Sequence, residues 1–324
     1  MLRSFVLCFA WIRQLQAPFF QYMRMVLLLV MSNPDEPGTL LQFHQVLSSR
    51  DFYKRFLPLR SQDPILQKFV DETLDRADLT RPGSEGSSLG GYISSKFDGF
   101  VGDPMLRNIF GQKRSTINPR EIMDAGKILL VNLSKGRLGE INSGFFGMVL
   151  IAKLQAAAMS RAGISLEQRR DFYVYVDEFQ NLATANFGTL LSEGRKYRLN
   201  LVLTNQYISQ VDPNISSAIA GNLGTIVSFR VGAADAELLE RQFTPVFNRY
   251  DLMNLPNFNT CVSTLIGGQV SKPFSMEISI DQTPADAERM HLIWRRSRQK
   301  YGKPRPAAEA EIAESLSHRN AATA

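Results

Sequence analysis

At 324 residues the chain has material for about two domains, each large enough to bury a core of its own. With 44% hydrophobic and 21% charged residues it is neither a fibre nor a chain disordered throughout. Lys and Arg exceed Asp and Glu by 37 to 31, a net +6 that suits an anionic partner without naming one. Cys8 and Cys261 lie far apart, and only His44, His291 and His318 accompany them. A disulfide framework and a zinc site are both unsupported, which fits the cytosol.

Residues 4–31 are apolar but interrupted by Arg13, Gln14, Gln16, Gln21 and Arg24, so no uncharged run reaches the ~20 residues of a spanning helix. Two readings stand for this stretch, a signal peptide over Met1–Ala17 or a buried amphipathic helix. From Pro37 to Arg76 apolar residues recur at helical spacing, broken at Pro58 and Pro64, which predicts several short helices. Residues 79–91, LTRPGSEGSSLGG, read as a loop or linker. Helical pattern resumes from Tyr92 to about Ala125, with Asn118 and Pro119 as N-cap and first residue of a helix ending near Gly126.

After Gly126 the texture changes. The β-favouring run KILLVNLS (127–134) leads into a turn and then into Ile141–Arg161, which is apolar on most sides and predicts a buried helix. Strand-like FYVYVDEF (172–179), NLVLTNQ (200–206) and TIVSFRVG (225–232) follow, separated by helices over 184–197, near 214–221 and over 233–243. Four apolar strands alternating with helices predict an α/β fold with a parallel sheet. Ligands in such sheets sit at the carboxyl ends of the strands.

Two of those ends carry chemistry. Asp177 and Glu178 close an apolar strand, the Walker-B arrangement: the Asp can hold Mg²⁺ through water and the Glu can orient or deprotonate a water attacking a γ-phosphate. The same pair can also simply cap the next helix through its amides. The neighbouring strand ends in Thr204, Asn205 and Gln206, where Gln206 can contact a γ-phosphate or serve as a turn residue. Arg195, Lys196 and Arg198 lie at a helix end, either complementing its dipole or offering an arginine finger to a neighbouring subunit.

Taken together, DEFQN, LLSEGRKYRLNLVLTNQ and IAGNLGTIVSFRVGAADAELLERQF resemble the carboxyl-terminal ATPase region of conjugative coupling proteins. These are the TraG/TraD-type DNA-transfer ATPases of type IV secretion, within the HerA and FtsK group of RecA-like motors. FVGDPMLRNIFGQKRSTINPREIMDAGKILLVNLSKGRLGE and the SRQKYGKPR tail extend the resemblance over roughly residues 35–310. It implies a RecA-like P-loop core with a parallel sheet and an all-helical inserted domain. The segments would be an amino-terminal helical stretch (1–34), the all-helical domain (35–122), the Walker-B half of the core (123–285) and a basic helical tail (286–324). It further implies ATP and Mg²⁺ as cofactors, Asp177 as the Mg²⁺-side carboxylate, Glu178 as the catalytic carboxylate, Gln206 as the sensor and Arg195 as a trans-acting finger.

The family's phosphate loop, GxxxxGK[ST], is absent. Gly126-Lys127 is followed by Ile128, Gly302-Lys303 by Pro304, and GSEGSSLGG has no Lys. Without that nest of amides the β- and γ-phosphates lose their main cradle. The chain therefore reads as the distal part of a longer motor, arising by truncation, a split gene or a mis-called start, and as incomplete for hydrolysis on its own. A non-hydrolysing remnant that keeps DNA or relaxosome contacts is the alternative. The resemblance implies a homo-hexamer, single-stranded DNA or a nucleoprotein as substrate, relaxosome and secretion components as partners, and a place at the cytoplasmic face of the bacterial inner membrane. Arg114, Lys135, Arg137 and the cluster Arg295, Arg296, Arg298 and Lys300 are available to DNA; the last four also read as a solvated face or partner-binding tail.

Overall fold

The amphipathic stretch near the amino terminus forms helix α1 (Ala17–Val30), which buries Met23, Val26, Leu27 and Leu29 on one side. The computed structural model describes residues 17–33, 38–49, 52–56, 63–74, 85–182, 185–208, 211 and 213–317. The signal-peptide reading of Met1–Ala17 falls almost wholly outside them. Helix α2 (Leu40–Ser48) starts at Thr39 through a capping box: Gln42 N donates to Thr39 Oγ1 and Thr39 N to Gln42 Oε1.

Helix α3 (Glu85–Ser95) corrects the sequence reading, because half of the Gly- and Ser-rich stretch taken as a linker is helical. The chain there is held by packing rather than by propensity. Ile93 is buried, and the Tyr92 ring lies 4.9 Å from Phe19 of α1. Helix α4 (Pro104–Phe110) is capped by Asp103, which accepts from Met105 N and Leu106 N. Helix α5 (Pro119–Asp124) begins at the proline expected to start it. Gly126, at φ +61°, ends the turn with its amide on Met123 O.

Helix α6 (Glu140–Met159) leads to β1 (Phe172–Val176), α7 (Ala185–Glu193), β2 (Leu199–Leu203), α8 (Pro213–Asn222), β3 (Thr225–Ser228) and α9 (Ala233–Phe243). Then come β4 (Asn259–Ile266), β5 (Gln269–Val270), β6 (Phe274–Glu277) and the helices α10 (Ala287–Tyr301) and α11 (Arg305–Leu316). By length and composition, the stretch Glu140–Gly163 is apolar enough to cross a membrane. Ile151, Leu154 and Ala158 of α6 are nevertheless core residues, as expected of a buried helix.

The chain divides into two units. The first gathers residues up to Pro119, the short segment Leu138–Asn142 and everything from Glu288 onward. Its closure depends on α11. Gln42 Nε2 and Arg55 Nη1 both donate to Ser315 O, Lys113 N donates to Glu311, and Ile312 is buried. Glu311 also accepts from Lys303. These bonds hold the Glu311 carboxyl below its ordinary pKa, the Lys303 ammonium contributing most.

The second unit, Arg120–Arg137 with Ser143–Ala287, holds the sheets. β1 and β2 pair in parallel with Phe172 opposite Leu199 and Val176 opposite Leu203. Their inward side chains join α6, α7 and α8 in one apolar cluster. The predicted parallel sheet is thus present as a pair, and two of the four predicted strands depart from it. KILLVNLS forms neither helix nor ladder among the described residues, and its Ile128 is 88% exposed. β3 pairs instead antiparallel with β4, which also pairs with β6. The small core beneath holds Ala236, Phe243, Leu252 and Cys261.

One buried cation ties this unit together. Arg161 is fully buried, and its Nε donates to Asp124 Oδ1 at 3.0 Å. Its Nη1 donates to the carbonyls of Arg170 (2.9 Å) and Tyr197 (3.1 Å), just before β1 and β2. Burial pulls the Arg161 pKa down and the Asp124 carboxylate opposes that shift. Asp124→Ala would strand the buried guanidinium, so we expect a loss of about 3 kcal/mol, read from urea unfolding of the purified chain.

Asp103 makes a pH prediction. The amide of Leu106 and the side chain of Asn142 lower its pKa, so its contribution to stability is complete above the ordinary carboxylate range and is lost as pH falls through the lowered folded value. Asp103→Ala is expected to cost about 1 kcal/mol at neutral pH. Asp103→Asn should keep the cap and flatten the acid limb of stability, as measured by thermal melts across pH.

Candidate functional site

The parallel ladder continues one step past β1 and β2. Thr204 N donates to Val176 O and Phe179 N to Thr204 O, each at 3.0 Å. Asp177 and Thr204 therefore stand side by side at the carboxyl end of the pair, and Thr204 Oγ1 donates to Asp177 Oδ1. The same oxygen accepts from Glu178 N at 3.1 Å.

Glu178 is left-handed, at φ 50° and ψ 47°, a conformation that costs a non-glycine residue roughly 1–2 kcal/mol. Its neighbour explains why. Phe179 is buried and stacks on Phe187 with ring centroids 6.1 Å apart, so the chain must turn under the sheet at once. The turn leaves the Glu178 carboxylate half-buried at the strand tip, where Gln180 Nε2 donates to it. Gly147 of α6 accommodates this turn, since a Cβ there would lie 2.1 Å from Leu182 Cδ2.

Gln206 lies two residues beyond Thr204 and is exposed. Among the described residues no hydrogen bond joins it to Asp177 or Glu178. Its loop is anchored further on by Asp235, a buried residue in the first turn of α9 that accepts from Ile208 N at 3.3 Å. Asp177, Glu178, Thr204 and Gln206 thus belong to one end of the parallel pair.

Arg195 lies at the other end, in the 3₁₀ turn Gly194–Tyr197 that precedes β2, exposed and without a partner among the described residues. A five-residue strand puts about 17 Å between the two ends. Within one copy Arg195 is therefore out of reach of Asp177, and the structure does not bring it into the site. The structure also separates it from Arg198, whose Nη1 donates to Asp171 and Nε to Leu166 O. Lys135, one of the basic residues offered to DNA, donates to Asn181 Oδ1 at 3.0 Å.

Sequence reasoning named Thr204 as part of a polar strand end but gave it no role, and passed over two further residues. Asp235 is an ordinary acidic residue in a helix's first turn, and Arg161 has no motif at all.

Asp177, Glu178 and the Thr204 hydroxyl offer hard oxygen donors that fit Mg²⁺, a cation that keeps much of its water. Among the described residues no cluster of three His, Cys, Asp or Glu could hold a metal alone. The phosphates, in contrast, meet no glycine-rich cradle anywhere in the sequence.

No family model and no curated protein matches the chain. Solved structures do. The plasmid coupling protein TrwB in complex with ADP and Mg²⁺ superposes with TM-score 0.54 at 16% identity, over 82% of this chain and 64% of that one. TrwB with the GTP analogue GDPNP gives 0.50 at 15%, over 82% and 69%. The chain has the fold of a conjugative coupling protein. An unbound form of TrwB lacking its amino-terminal segment, TrwBΔN70, agrees at TM-score 0.50 and 14% identity. The coupling-protein fold bears out the α/β class read from the sequence, and the chain spans about two thirds of these structures' length.

The strain at Glu178 gives a stability test. Glu178→Gly relieves the left-handed backbone, so thermal unfolding is expected to show a gain of about 0.5–1 kcal/mol after the entropy cost of glycine. A loss of stability would mean that the carboxylate is held for structural reasons.

Proposed function

We propose that this chain is the distal part of an ATP-driven, DNA-translocating coupling ATPase of conjugation, incomplete for hydrolysis until a phosphate-binding half is added. The observation that carries the reading is the Asp177–Thr204–Glu178 tip at the carboxyl end of a parallel pair, in a chain with the fold of TrwB. Nucleotide and Mg²⁺ are named in the descriptions of those structures and come to this chain as part of the proposal.

In this reading Asp177, steadied by Thr204, holds the cation side through water. Glu178 orients and deprotonates the attacking water, and Gln206 senses the γ-phosphate. Mg²⁺, when bound, supplies charge neutralisation on the phosphate oxygens. Arg195 acts on the nucleotide of the next subunit in a homo-hexamer. Such an assembly would move single-stranded DNA or a nucleoprotein, dock with relaxosome and secretion components, and work at the cytoplasmic face of the bacterial inner membrane.

Incompleteness is supported by the sheet itself. The face of β1 and β2 that carries Tyr173, Tyr175 and Val202 is exposed, with Tyr175 at 75%. The outer edge of β1 has no paired strand among the described residues. Parallel sheets are ordinarily covered on both faces, so a further layer with a phosphate loop would complete both the sheet and the site.

The chain alone is expected to hydrolyse ATP no faster than buffer. Appending the P-loop-bearing half of a coupling protein to its amino terminus should restore hydrolysis, and Glu178→Gln should then lower kcat by about 100-fold. Hydrolysis that returns and is indifferent to Glu178→Gln would remove this carboxylate from the mechanism. A completed sheet that still fails to hydrolyse, with DNA binding intact, would favour the non-hydrolysing remnant.

A further inference from the structure

Helix α10 (Ala287–Tyr301) is exposed along its whole length, with no buried residue. That is unusual for fifteen residues containing Met290, Ile293, Trp294 and Tyr301, which are 60%, 51%, 52% and 38% exposed. The spacing 290, 293, 294, 297 and 301 places these four and Ser297 on a single stripe. Arg289, Arg295, Arg296, Arg298 and Lys300 share the rest of the circumference with His291, Gln299 and the 43% exposed Leu292, against one acidic residue, Glu288. Among the described residues none of Arg295, Arg296 and Lys300 has an acidic partner. By contrast Lys303 and Arg305, just beyond the helix, are paired with Glu311 and Glu309.

We propose that α10 lies in the surface of an anionic phospholipid membrane. Its basic face would meet the headgroups, and Met290, Ile293, Trp294 and Tyr301 would enter the acyl boundary. An interfacial helix needs this combination of a large apolar stripe, a Lys- and Arg-rich polar face and low overall hydrophobicity. Trp and Tyr are the side chains that favour the headgroup level. The charge complements anionic lipid, and the stripe separates this reading from the rival ones. A nucleic acid would satisfy the arginines but leave Met290 and Ile293, which offer no ring for a base to stack on, in water. The two rings already carry cations of their own helix, Arg298 over Trp294 at 5.1 Å and Lys300 over Tyr301 at 5.4 Å. A protein groove would cover the stripe but needs a dense acidic rim to match the arginines. The inference is independent of the nucleotide reading.

Trp11 and Trp294 are the chain's two tryptophans, so the full-length chain carrying Trp11→Phe reports on Trp294 alone. It should co-sediment with vesicles of equal parts phosphatidylglycerol and phosphatidylcholine, with a blue shift in Trp294 emission. Affinity for pure phosphatidylcholine should be at least roughly tenfold weaker, and so should that of Arg295→Gln/Arg296→Gln for the anionic vesicles. Ile293→Glu, on an exposed face where it leaves the fold intact by circular dichroism, should abolish the shift. No binding to the anionic vesicles, or binding unchanged by Ile293→Glu, would overturn the proposal. So would a blue shift produced by a single-stranded oligonucleotide that also displaces the vesicles, which would assign the helix to nucleic acid. A shift already present without vesicles and abolished by dilution would assign it to a second copy of the chain.

Discussion

The second unit is organised around the buried Arg161 guanidinium. A cation removed from water is costly unless acceptors meet it. Its Nε and Nη1 are met by Asp124 at the end of α5 and by the backbone carbonyls that precede both parallel strands, while Nη2 has no hydrogen-bond partner among the described residues. One side chain therefore links the segments that lead into β1 and β2. From there the register of the pair runs on to Val176 opposite Leu203 and to the meeting of Asp177 with Thr204 at the far end. Arg169 reinforces the arrangement by donating to Lys196 O and Ile164 O.

At the chemical end the chain accepts strain. Phe179 must enter the core immediately after the strand, and Glu178 takes a left-handed backbone to allow it. An Asn or Gly at that position would be easier to fold. A carboxylate held in a costly conformation beside a second carboxylate marks a residue whose side chain matters more than its backbone comfort. The fold contributes similar care to the next loop, where buried Asp235 receives the Ile208 amide.

Much of this was legible in the residues. Period 3.6 and the Pro119 to Gly126 punctuation placed α5, and the apolar run ending in Asp177 and Glu178 placed β1, because local sequence decides both. The basic, helical character of α10 was equally plain, while its apolar stripe went unread. What escaped depended on partners distant in sequence. KILLVNLS has the composition of a strand, yet a strand is a relation between two segments, and no segment pairs with it among the described residues. TIVS found an antiparallel neighbour about forty residues later in β4, a pairing that no local pattern encodes. The Gly- and Ser-rich part of α3 is helical because Ile93 is buried, and Arg161 was invisible because an arginine carries no sign of its own burial.

The first unit is assembled from both ends of the chain, with α11 bonded to α2 and to the segment around Lys113. During synthesis this reverses the usual order of folding, in which the amino-terminal domain matures first. Helices α1 to α4 leave the ribosome early, but their last partner emerges only after the intervening unit has been translated, a delay of roughly 10–30 s at ordinary elongation rates. Through that interval the groups that α11 bonds in the finished unit, Gln42, Arg55 and the Lys113 amide, stand open to solvent. Until the last helix arrives, the first unit is an incomplete core of the kind that is prone to aggregate.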